Sequence, residues 1–260
     1  MAKKIYINPG HTDTDPGAVG YEVERELILK VSNYMYAYLL GNYKCLIRMK
    51  SGNLNDIARD ANRWGADLVV SNHFNAFKKD KGDGYEALIY SEGNMQLGKC
   101  FEKHVVAIGQ NSRGVKVRPD LAILRLTNAP AVLNEGAFVD TWDDIKDWND
   151  DDELKELGIA YAKAAAEYLK LPKRTGRKQP YKGTLPLLPA RDYLRKGDKG
   201  LQVKRLQRLL NWAIDADLVV DGDFGSKTLD AVKLYQKTYG LVVDGFFGPA
   251  SLSTAEIIKK

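Results

Sequence analysis

The sequence predicts an α/β fold with a mostly parallel, twisted sheet and helices on both of its faces, followed by a small C-terminal module of three helices. Over residues 1–170, short apolar runs of strand character alternate with longer segments of helical periodicity. This alternation is typical of parallel sheets covered by helices. Residues 191–260 contain only helical patterns, separated by two similar glycine-containing turns.

Strands are predicted where short apolar runs are bounded by turn residues. The run that begins at Leu68 is uninterrupted, as is typical of strands buried on both faces of a parallel sheet. Pro130 directly precedes the last predicted strand. The predicted strands are Lys4–Asn8, Cys45–Met49, Leu68–Ser71, Gly84–Tyr90, Ala122–Leu126 and Ala131–Asn134.

Helices are predicted where apolar residues recur at three- and four-residue spacing. In the first of them Leu27, Val31 and Met35 share one face, and Gly41 is the expected stop. The last is rich in alanine and leucine. The helices predicted in this part of the chain are Val23–Leu40, Leu54–Trp64, Met95–Ile108 and Leu154–Leu171.

The pattern breaks at residues 172–190, which contain four prolines, two glycines and five basic residues. The segment has neither helical nor strand periodicity, and its composition predicts an extended, semi-rigid linker. We therefore expect a first domain at residues 1–171 and a second at residues 191–260, joined by this linker.

The second domain contains an internal repeat. The turn Asp221-Gly222-Asp223-Phe224-Gly225 is echoed by Asp244-Gly245-Phe246-Phe247-Gly248. Each turn is followed by a residue suited to the first position of a helix, Ser226 in one copy and Pro249 in the other. We expect three helices around these turns, the first near Leu201–Trp212, the second near Leu229–Tyr235 and the third at Ala250–Ile258.

Charge and composition limit the classes of function. The first 170 residues carry a net charge of −3 and the remaining 90 carry +8, so the C-terminal part is suited to an anionic polymer, nucleic acid or lipid. No apolar run approaches the roughly 20 residues that span a bilayer, and we expect neither membrane insertion nor a secretory signal. Cys45 and Cys100 form no paired motif, so we expect two buried free thiols in a reducing compartment.

Three residues with metal or acid–base chemistry follow predicted strands. His11 follows the first strand, His73 follows the Leu68–Ser71 strand, and Glu135 follows the last strand. Parallel strands would bring all three to one edge of the sheet, where ligand sites form in such folds. The glutamates at the start of the first helix, within 22–26, would lie at the same edge.

Two imidazoles and a carboxylate are a usual ligand set for a catalytic zinc ion, and a further carboxylate can act as general base and then acid. Each residue also has an ordinary structural explanation. A histidine after a strand can be a polar residue at the sheet edge, and glutamates at a helix start often complement the helix dipole. His104 lies within a predicted helix, and we expect it to be a surface residue.

The order of these motifs over residues 3–170 resembles the zinc-dependent N-acetylmuramoyl-L-alanine amidases of the amidase-3 type. The motifs that carry the resemblance are Asn8-Pro9-Gly10-His11, Asp15-Pro16-Gly17-Ala18, Glu24, Ser71-Asn72-His73-Phe74-Asn75 and Ala129-Pro130-Ala131-Val132-Leu133-Asn134-Glu135.

The resemblance implies that His11, Glu24 and His73 bind Zn²⁺ and that Glu135 is the catalytic residue. The other two glutamates within 22–26 remain alternatives to Glu24 because they lie within two residues of it. Asn134 replaces the apolar residue that usually precedes the catalytic glutamate in this family, and we expect this departure to have little effect.

The C-terminal part resembles the three-helix fold of peptidoglycan-binding domain 1. The resemblance covers residues 190–255 and implies a cell-wall polymer as the partner. The motifs that carry it are Leu194–Gln207, the two repeated turns, and Ala231–Gln236.

Together the two resemblances imply a cell-wall hydrolase that cleaves the amide bond between N-acetylmuramic acid and L-alanine. We expect a phage endolysin-like monomer, made in the host cytoplasm and active at the wall after release, that binds peptidoglycan and no nucleic acid. A bacterial autolysin or sporulation lysin with the same chemistry is the alternative. Less favoured interpretations are a muralytic glycosidase with two catalytic carboxylates and a non-catalytic binding protein.

Overall fold

The computed structural model describes residues 2–12, 14–173, 181–239 and 241–259. The chain divides into two compact units, Met1–Arg174 and Thr175–Lys260. Part of the predicted linker, residues 174–180, lies outside the described residues. Among the residues described, no helix combines the length and apolar character needed to cross a bilayer.

The first unit is built on a sheet whose six strands, within its described residues, lie in the order β2-β1-β3-β6-β4-β5. Every neighbouring pair is parallel except β4 with β6, which is antiparallel. The mostly parallel sheet predicted from the sequence is therefore confirmed. The strands are β1 Lys3–Pro9, β2 Cys45–Met49, β3 Leu68–Asn75, β4 Tyr85–Ile89, β5 Ser112–Val117 and β6 Ala131–Phe138.

Helices cover both faces of the sheet, as predicted. On one face α1 and α3 pack against strands and both contact α6. On the other face α2 and α4 pack together, and their Ile57 and Ile123 join a core cluster with Tyr6, Val69 and Leu133 of the sheet. The helices are α1 Glu24–Asn42, α2 Leu54–Trp64, α3 Met95–Val106, α4 Ala122–Leu126, α5 Trp142–Ile145 and α6 Asp151–Tyr168.

Local sequence explains where several helices begin and end. The Asn53 side chain accepts a hydrogen bond from a backbone N–H in the first turn of α2, and Gly65 ends that helix in the left-handed conformation with φ of 70°. The Asp150 carboxylate accepts two such bonds at the start of α6. Gly41 is the stop expected for α1, but the helix continues through it to Asn42.

One predicted strand is wrong, and one strand of the sheet was not predicted. Ala122–Leu126 is a helix, because Ile123 and Leu124 pack side by side into the core cluster next to α2 instead of alternating across a sheet. Ser112–Val117 is an edge strand that we did not predict, because its residues are exposed or half-buried and form no apolar run.

The reversed direction of β4 follows from its connection. Residues 76–84 join β3 to β4 without an intervening helix. A parallel strand would need a crossover that returns the chain to the opposite edge of the sheet. The short loop instead starts β4 at the edge where β3 ends, so β4 pairs antiparallel with β6.

A buried polar network lies within the sheet, below the edge where β3 and β6 end. Asn134, with no exposed surface, accepts a hydrogen bond from the Tyr85 hydroxyl at 2.7 Å and donates to the Asn72 side chain at 3.2 Å. Asn72 in turn donates to the Ser32 hydroxyl of α1 at 2.9 Å. Asn134, the one departure from the motif of the resembled family, therefore has hydrogen-bond partners for both its amide oxygen and its amide nitrogen.

The second unit contains three helices within its described residues, α7 Leu201–Ile214, α8 Ser226–Thr238 and α9 Pro249–Ile258. The repeated turns are held in the same way. The Gln207 amide of α7 donates to the Asp221 carboxylate at 2.8 Å and accepts from the next backbone N–H at 2.9 Å. The Gln236 amide of α8 does the same with Asp244, at 2.7 Å and 2.9 Å. The turns thus have a common internal support.

Gly158 allows α6 to pack closely on α1, and its replacement by alanine should destabilise the first unit. A Cβ there would lie 2.6 Å from the Val31 carbonyl oxygen, a backbone atom of α1. We expect Gly158→Ala to cost about 1–3 kcal/mol, because overpacking outweighs the roughly 1 kcal/mol gain in helix propensity. Urea denaturation followed by circular dichroism measures the change.

Gly41→Ala is the matched control. Gly41 also lies in a helix, but a Cβ there would meet no atom within 4 Å. This variant should be neutral or more stable by up to about 1 kcal/mol. Equal stability changes in the two variants would show that the contact between α1 and α6 does not exclude a methyl group.

Candidate active site

Three acidic and imidazole side chains from separate segments converge at one edge of the sheet. Pro9, the last residue of β1, pairs with Asn72 of β3, so His73 lies level with the start of the loop that follows β1. His11 lies two residues beyond β1, Glu24 is the first residue of α1, and His73 lies near the end of β3. One potential ligand atom from each of these three residues lies within 4.8 Å of the others.

The Glu24 carboxylate is at the centre of this group and is only 4% exposed. Its Oε1 lies 3.0 Å from His11 Nε2 and 2.9 Å from His73 Nδ1, and it also accepts the Phe74 backbone N–H at 3.2 Å. Its Oε2 accepts the Ala18 backbone N–H at 2.8 Å. Burial raises the pKa of Glu24, but the hydrogen bond and charge of His73 and the bond from Ala18 outweigh it, and the pKa is lowered overall.

The neighbouring glutamates have other environments. Glu22 accepts a hydrogen bond from the Asn149 side chain at 3.1 Å, and Glu26 is exposed. Of the three glutamates that the sequence offered, Glu24 is the one whose carboxylate lies beside both histidines.

Two glycines of the sequence motifs make room for this arrangement. A Cβ on Gly10 would lie 2.1 Å from the His73 ring. A Cβ on Gly17 would lie 2.5 Å from both the Glu24 carboxylate and the His11 ring, and Gly17 also has a positive φ of 69°. The imidazoles and the carboxylate therefore pack directly on backbone, which explains why both motifs contain glycine.

Asp15 orients His11, a role that we did not predict. Its Oδ2 lies 2.9 Å from His11 Nδ1, while its Oδ1 accepts the Gly17 backbone N–H at 3.1 Å. Both hydrogen bonds lower the pKa of Asp15, and the bond with His11 has the larger effect. The bond at Nδ1 leaves His11 Nε2 facing Glu24. An acidic residue four positions after a histidine in a proline–glycine turn was the available sequence signal.

The donor set fits zinc. Zinc is bound by imidazole nitrogen and carboxylate oxygen at about 2.0–2.2 Å in tetrahedral sites, which separates ligand atoms by roughly 3.4 Å. One potential ligand atom from each of His11, Glu24 and His73 lies within 4.8 Å of the others, close enough for a single ion to reach all three. The Asp15 carboxylate on the far side of the His11 ring is a typical outer partner of a ligating histidine.

Glu135 lies beside this group within the sheet. We expected His73 and Glu135 to follow their strands, but β3 and β6 are longer than predicted, so both residues lie inside strands. They are paired in register across β3 and β6. The neighbouring strands therefore bring the fourth predicted site residue next to His73.

The Glu135 carboxyl group is largely enclosed. Its Oε2 is buried and has no hydrogen-bond partner among the described residues. Burial, followed by the negative charges of Glu24 and Glu86, raises the pKa of Glu135 well above its usual value, while Arg118 opposes this shift. A buried unpaired carboxyl oxygen at a sheet edge is suited to accepting a proton.

Glu86 is a second neighbour that we did not predict. It is the partner of Glu135 in the antiparallel pairing of β4 and β6. Its carboxylate forms ion pairs with Arg113 and, at 2.6 Å, with Lys116. The two cations stabilise the charge of a glutamate that is only 7% exposed. No local sequence pattern signals this contact, because it depends on the direction of β4.

His104 takes no part in the group. It lies on α3, where its Nε2 is 2.9 Å from the Glu167 carboxylate of α6. It is half-buried, and this pairing accounts for it as a structural residue.

Comparison with known proteins gives two family matches. Residues 5–167 match the family model of N-acetylmuramoyl-L-alanine amidase. Residues 199–254 match the family described as "Putative peptidoglycan binding domain".

Similar proteins of known sequence and structure agree with these matches. The chain is 32% identical over 201 residues to the endolysin of Bacillus phage SPP1, covering 72% of this chain and 73% of that protein. It is 29% identical to the sporulation-specific N-acetylmuramoyl-L-alanine amidase of Bacillus subtilis (strain 168), covering 65% and 69%. The catalytic domain of CwlV, an amidase from Bacillus (Paenibacillus) polymyxa, has a TM-score of 0.62 at 23% identity and shares the fold over 65% of this chain and 99% of that one.

Removal of the Asp15 carboxylate should weaken metal binding without unfolding the protein. Asp15→Ala removes the hydrogen bond that orients His11, and loss of such an outer partner weakens metal affinity about 10–100-fold. Zinc titration against a competing chelator measures this change. Thr14→Ala is the control, because Thr14 lies in the same loop and its hydroxyl contacts only Thr12 among the described side chains. Equal zinc affinity in both variants would contradict the role of Asp15.

Proposed function

The chain belongs to the N-acetylmuramoyl-L-alanine amidase family and is a cell-wall hydrolase, and from this premise we propose how its residues cleave the bond between N-acetylmuramic acid and L-alanine. The family is generally zinc-dependent. We assign His11, Glu24 and His73 as the zinc ligands. The convergence of their ligand atoms within 4.8 Å, from three separate segments, is the observation that supports this assignment.

When bound, zinc lowers the pKa of a coordinated water molecule and polarises a carbonyl oxygen. The chain's own residues prepare the site for it. Glu24 is kept ionised by backbone N–H groups and by both histidines. Asp15 holds His11 through Nδ1, so that Nε2 faces inward. The two glycines beneath the rings fix their distance from the backbone.

Glu135 is proposed to move the proton. It accepts a proton from the attacking water as the new C–O bond forms. It then donates that proton to the amide nitrogen as the C–N bond breaks, which yields a muramoyl carboxyl group and a free L-alanine amino group. Its buried position and raised pKa favour holding a proton between these two steps. Its register with His73 supports its proximity to the scissile bond.

The second unit is proposed to hold the enzyme on its substrate. Its match to a peptidoglycan-binding family and the net charge of +8 over residues 171–260 support this role. In this proposal residues 1–171 form the catalytic domain, residues 172–190 the linker and residues 191–260 the binding domain. Tethering raises the local concentration of the catalytic site at the wall.

Glu135→Gln should retain zinc and lose activity. The amide cannot accept the proton of water, and loss of general base and acid catalysis lowers rates about 10²–10⁴-fold. The assay measures new L-alanine amino groups released from purified peptidoglycan, with zinc content determined by elemental analysis. Glu22→Gln is the matched control, because it makes the same change outside the proposed ligand set. Near-normal turnover by Glu135→Gln would contradict the assignment.

Removal of the metal tests the assignment of the zinc ligands independently of the assignment of Glu135 as the general base. His73→Ala should contain no stoichiometric zinc, and chelation should abolish wild-type activity that added zinc then restores. Activity that persists in excess chelator would instead support a hydrolase with two carboxylates and no metal.

We further propose that the enzyme works as an endolysin, produced as a monomer in the host cytoplasm and released to the wall. Its 32% identity to a phage endolysin supports this choice. Its similarity to a sporulation-specific amidase supports the alternative, a bacterial lysin released when the mother cell lyses. The proposed partner is peptidoglycan, and neither nucleic acid nor a membrane is required.

Expression in the cytoplasm of a sensitive bacterium tests this route. Cell turbidity should stay constant during expression and fall within minutes after the membrane is permeabilised. Glu135→Gln is the control and should cause no such fall. Lysis that begins without permeabilisation would contradict the need for a release step.

A further inference from the structure

The segment at residues 193–199 contacts both repeated turns of the second unit. Leu194 exchanges two backbone hydrogen bonds with Phe247, at 3.1 Å and 2.9 Å. The Asp198 carbonyl accepts the Phe224 N–H at 2.9 Å. Both phenylalanines are fully buried. The residues that precede them, Asp223 and Phe246, therefore occupy equivalent positions in the two copies.

These equivalent residues differ in chemistry. Asp223 is exposed and lies 3.3 Å from the Lys199 ammonium group. Phe246 is 42% exposed, and its ring centroid lies 5.0 Å from that of Tyr193. Because the first copy forms the same turn with an aspartate, the exposed aromatic ring of the second copy is not needed for the turn. An exposed phenylalanine beside a half-buried tyrosine is typical of a binding surface.

Two cations flank the aromatic pair. The guanidinium groups of Arg191 and Arg195 lie 5.4 Å and 5.9 Å from the centroid of the Tyr193 ring. Arg191 is paired with Asp198. Arg195 has no carboxylate partner in the described part of the chain, so its guanidinium remains available beside the rings. Arginine binds carboxylates in a bidentate geometry.

We propose that Tyr193, Phe246 and Arg195 form a peptidoglycan-binding site on the second unit. The aromatic rings contact the apolar face of an amino sugar, and the Arg195 guanidinium binds a carboxylate of the stem peptide. The proposal rests on the proposed wall-binding role of this unit and identifies the residues that perform it. The combination of an exposed phenylalanine ring, a neighbouring tyrosine and a cation matches a polymer that carries both sugars and acidic peptides.

Binding of the full chain to purified peptidoglycan tests the site. The probe is peptidoglycan stripped of attached phosphate polymers by acid, and binding is measured by sedimentation in the cold. Phe246→Asp, which copies the first turn, should weaken binding about tenfold, as expected for loss of an aromatic anchor. Arg195→Gln should weaken it several-fold and reduce its dependence on salt. Asp223→Ala, the same surface position in the other copy, should bind like the wild type.

The possible results distinguish a failure of the proposed binding site from a failure of the proposed enzymatic function. Wild-type binding by both Phe246→Asp and Arg195→Gln would overturn the site, as would binding of the wild-type protein to unstripped wall alone. If circular dichroism shows that Phe246→Asp does not fold, the binding of Arg195→Gln alone tests the site. Cleavage of a soluble N-acetylmuramoyl-L-alanyl peptide by the wild-type chain tests the proposed function separately. Failure of the wild type to cleave it would contradict the proposed function and leave the binding result independent.

Discussion

The burial of the Glu24 carboxylate is the constraint on which the site depends. A carboxylate that is 4% exposed is stable only if its oxygens are paired, because an isolated buried charge is strongly disfavoured. Glu24 obtains its partners from two segments that are distant in sequence, the loop after β1 and the end of β3. Satisfying this one charge thus brings both histidines to the start of α1. The glycines at 10 and 17 are consequences of the same close packing.

The antiparallel direction of β4 places a further glutamate, Glu86, at the site. A short connection from β3 forces β4 to run against β6, and this pairing places Glu86 beside Glu135. Arg113 and Lys116 of β5 neutralise Glu86. Glu135 has no such ion pair among the described residues, and burial with two nearby negative charges raises its pKa. Adjacent strands therefore hold two glutamates in different environments, since cations pair with Glu86 and lower its pKa, whereas burial raises the pKa of Glu135.

The second unit shows how a duplicated support can carry different surfaces. Gln207 and Gln236 hold their turns with the same hydrogen bonds. The positions next to the buried phenylalanines can differ because the residues there, Asp223 and Phe246, are exposed. One copy has an aspartate there and the other has Phe246 next to Tyr193. Fold and surface chemistry are separable in this unit, which is why a recognisable repeat does not by itself identify the surface that binds.

The sequence by itself determined the fold class, the helical C-terminal module and the family, because apolar periodicity and the motifs around His11, His73 and Glu135 are local patterns. The assignment of these residues to zinc and to proton transfer stays a prediction. Only the tertiary structure distinguished Glu24 from its neighbouring glutamates and brought Asp15 to His11, since both depend on contacts between side chains. It also decided that 122–126 is helical and that β4 is reversed, because packing and connection length, instead of local pattern, determine them.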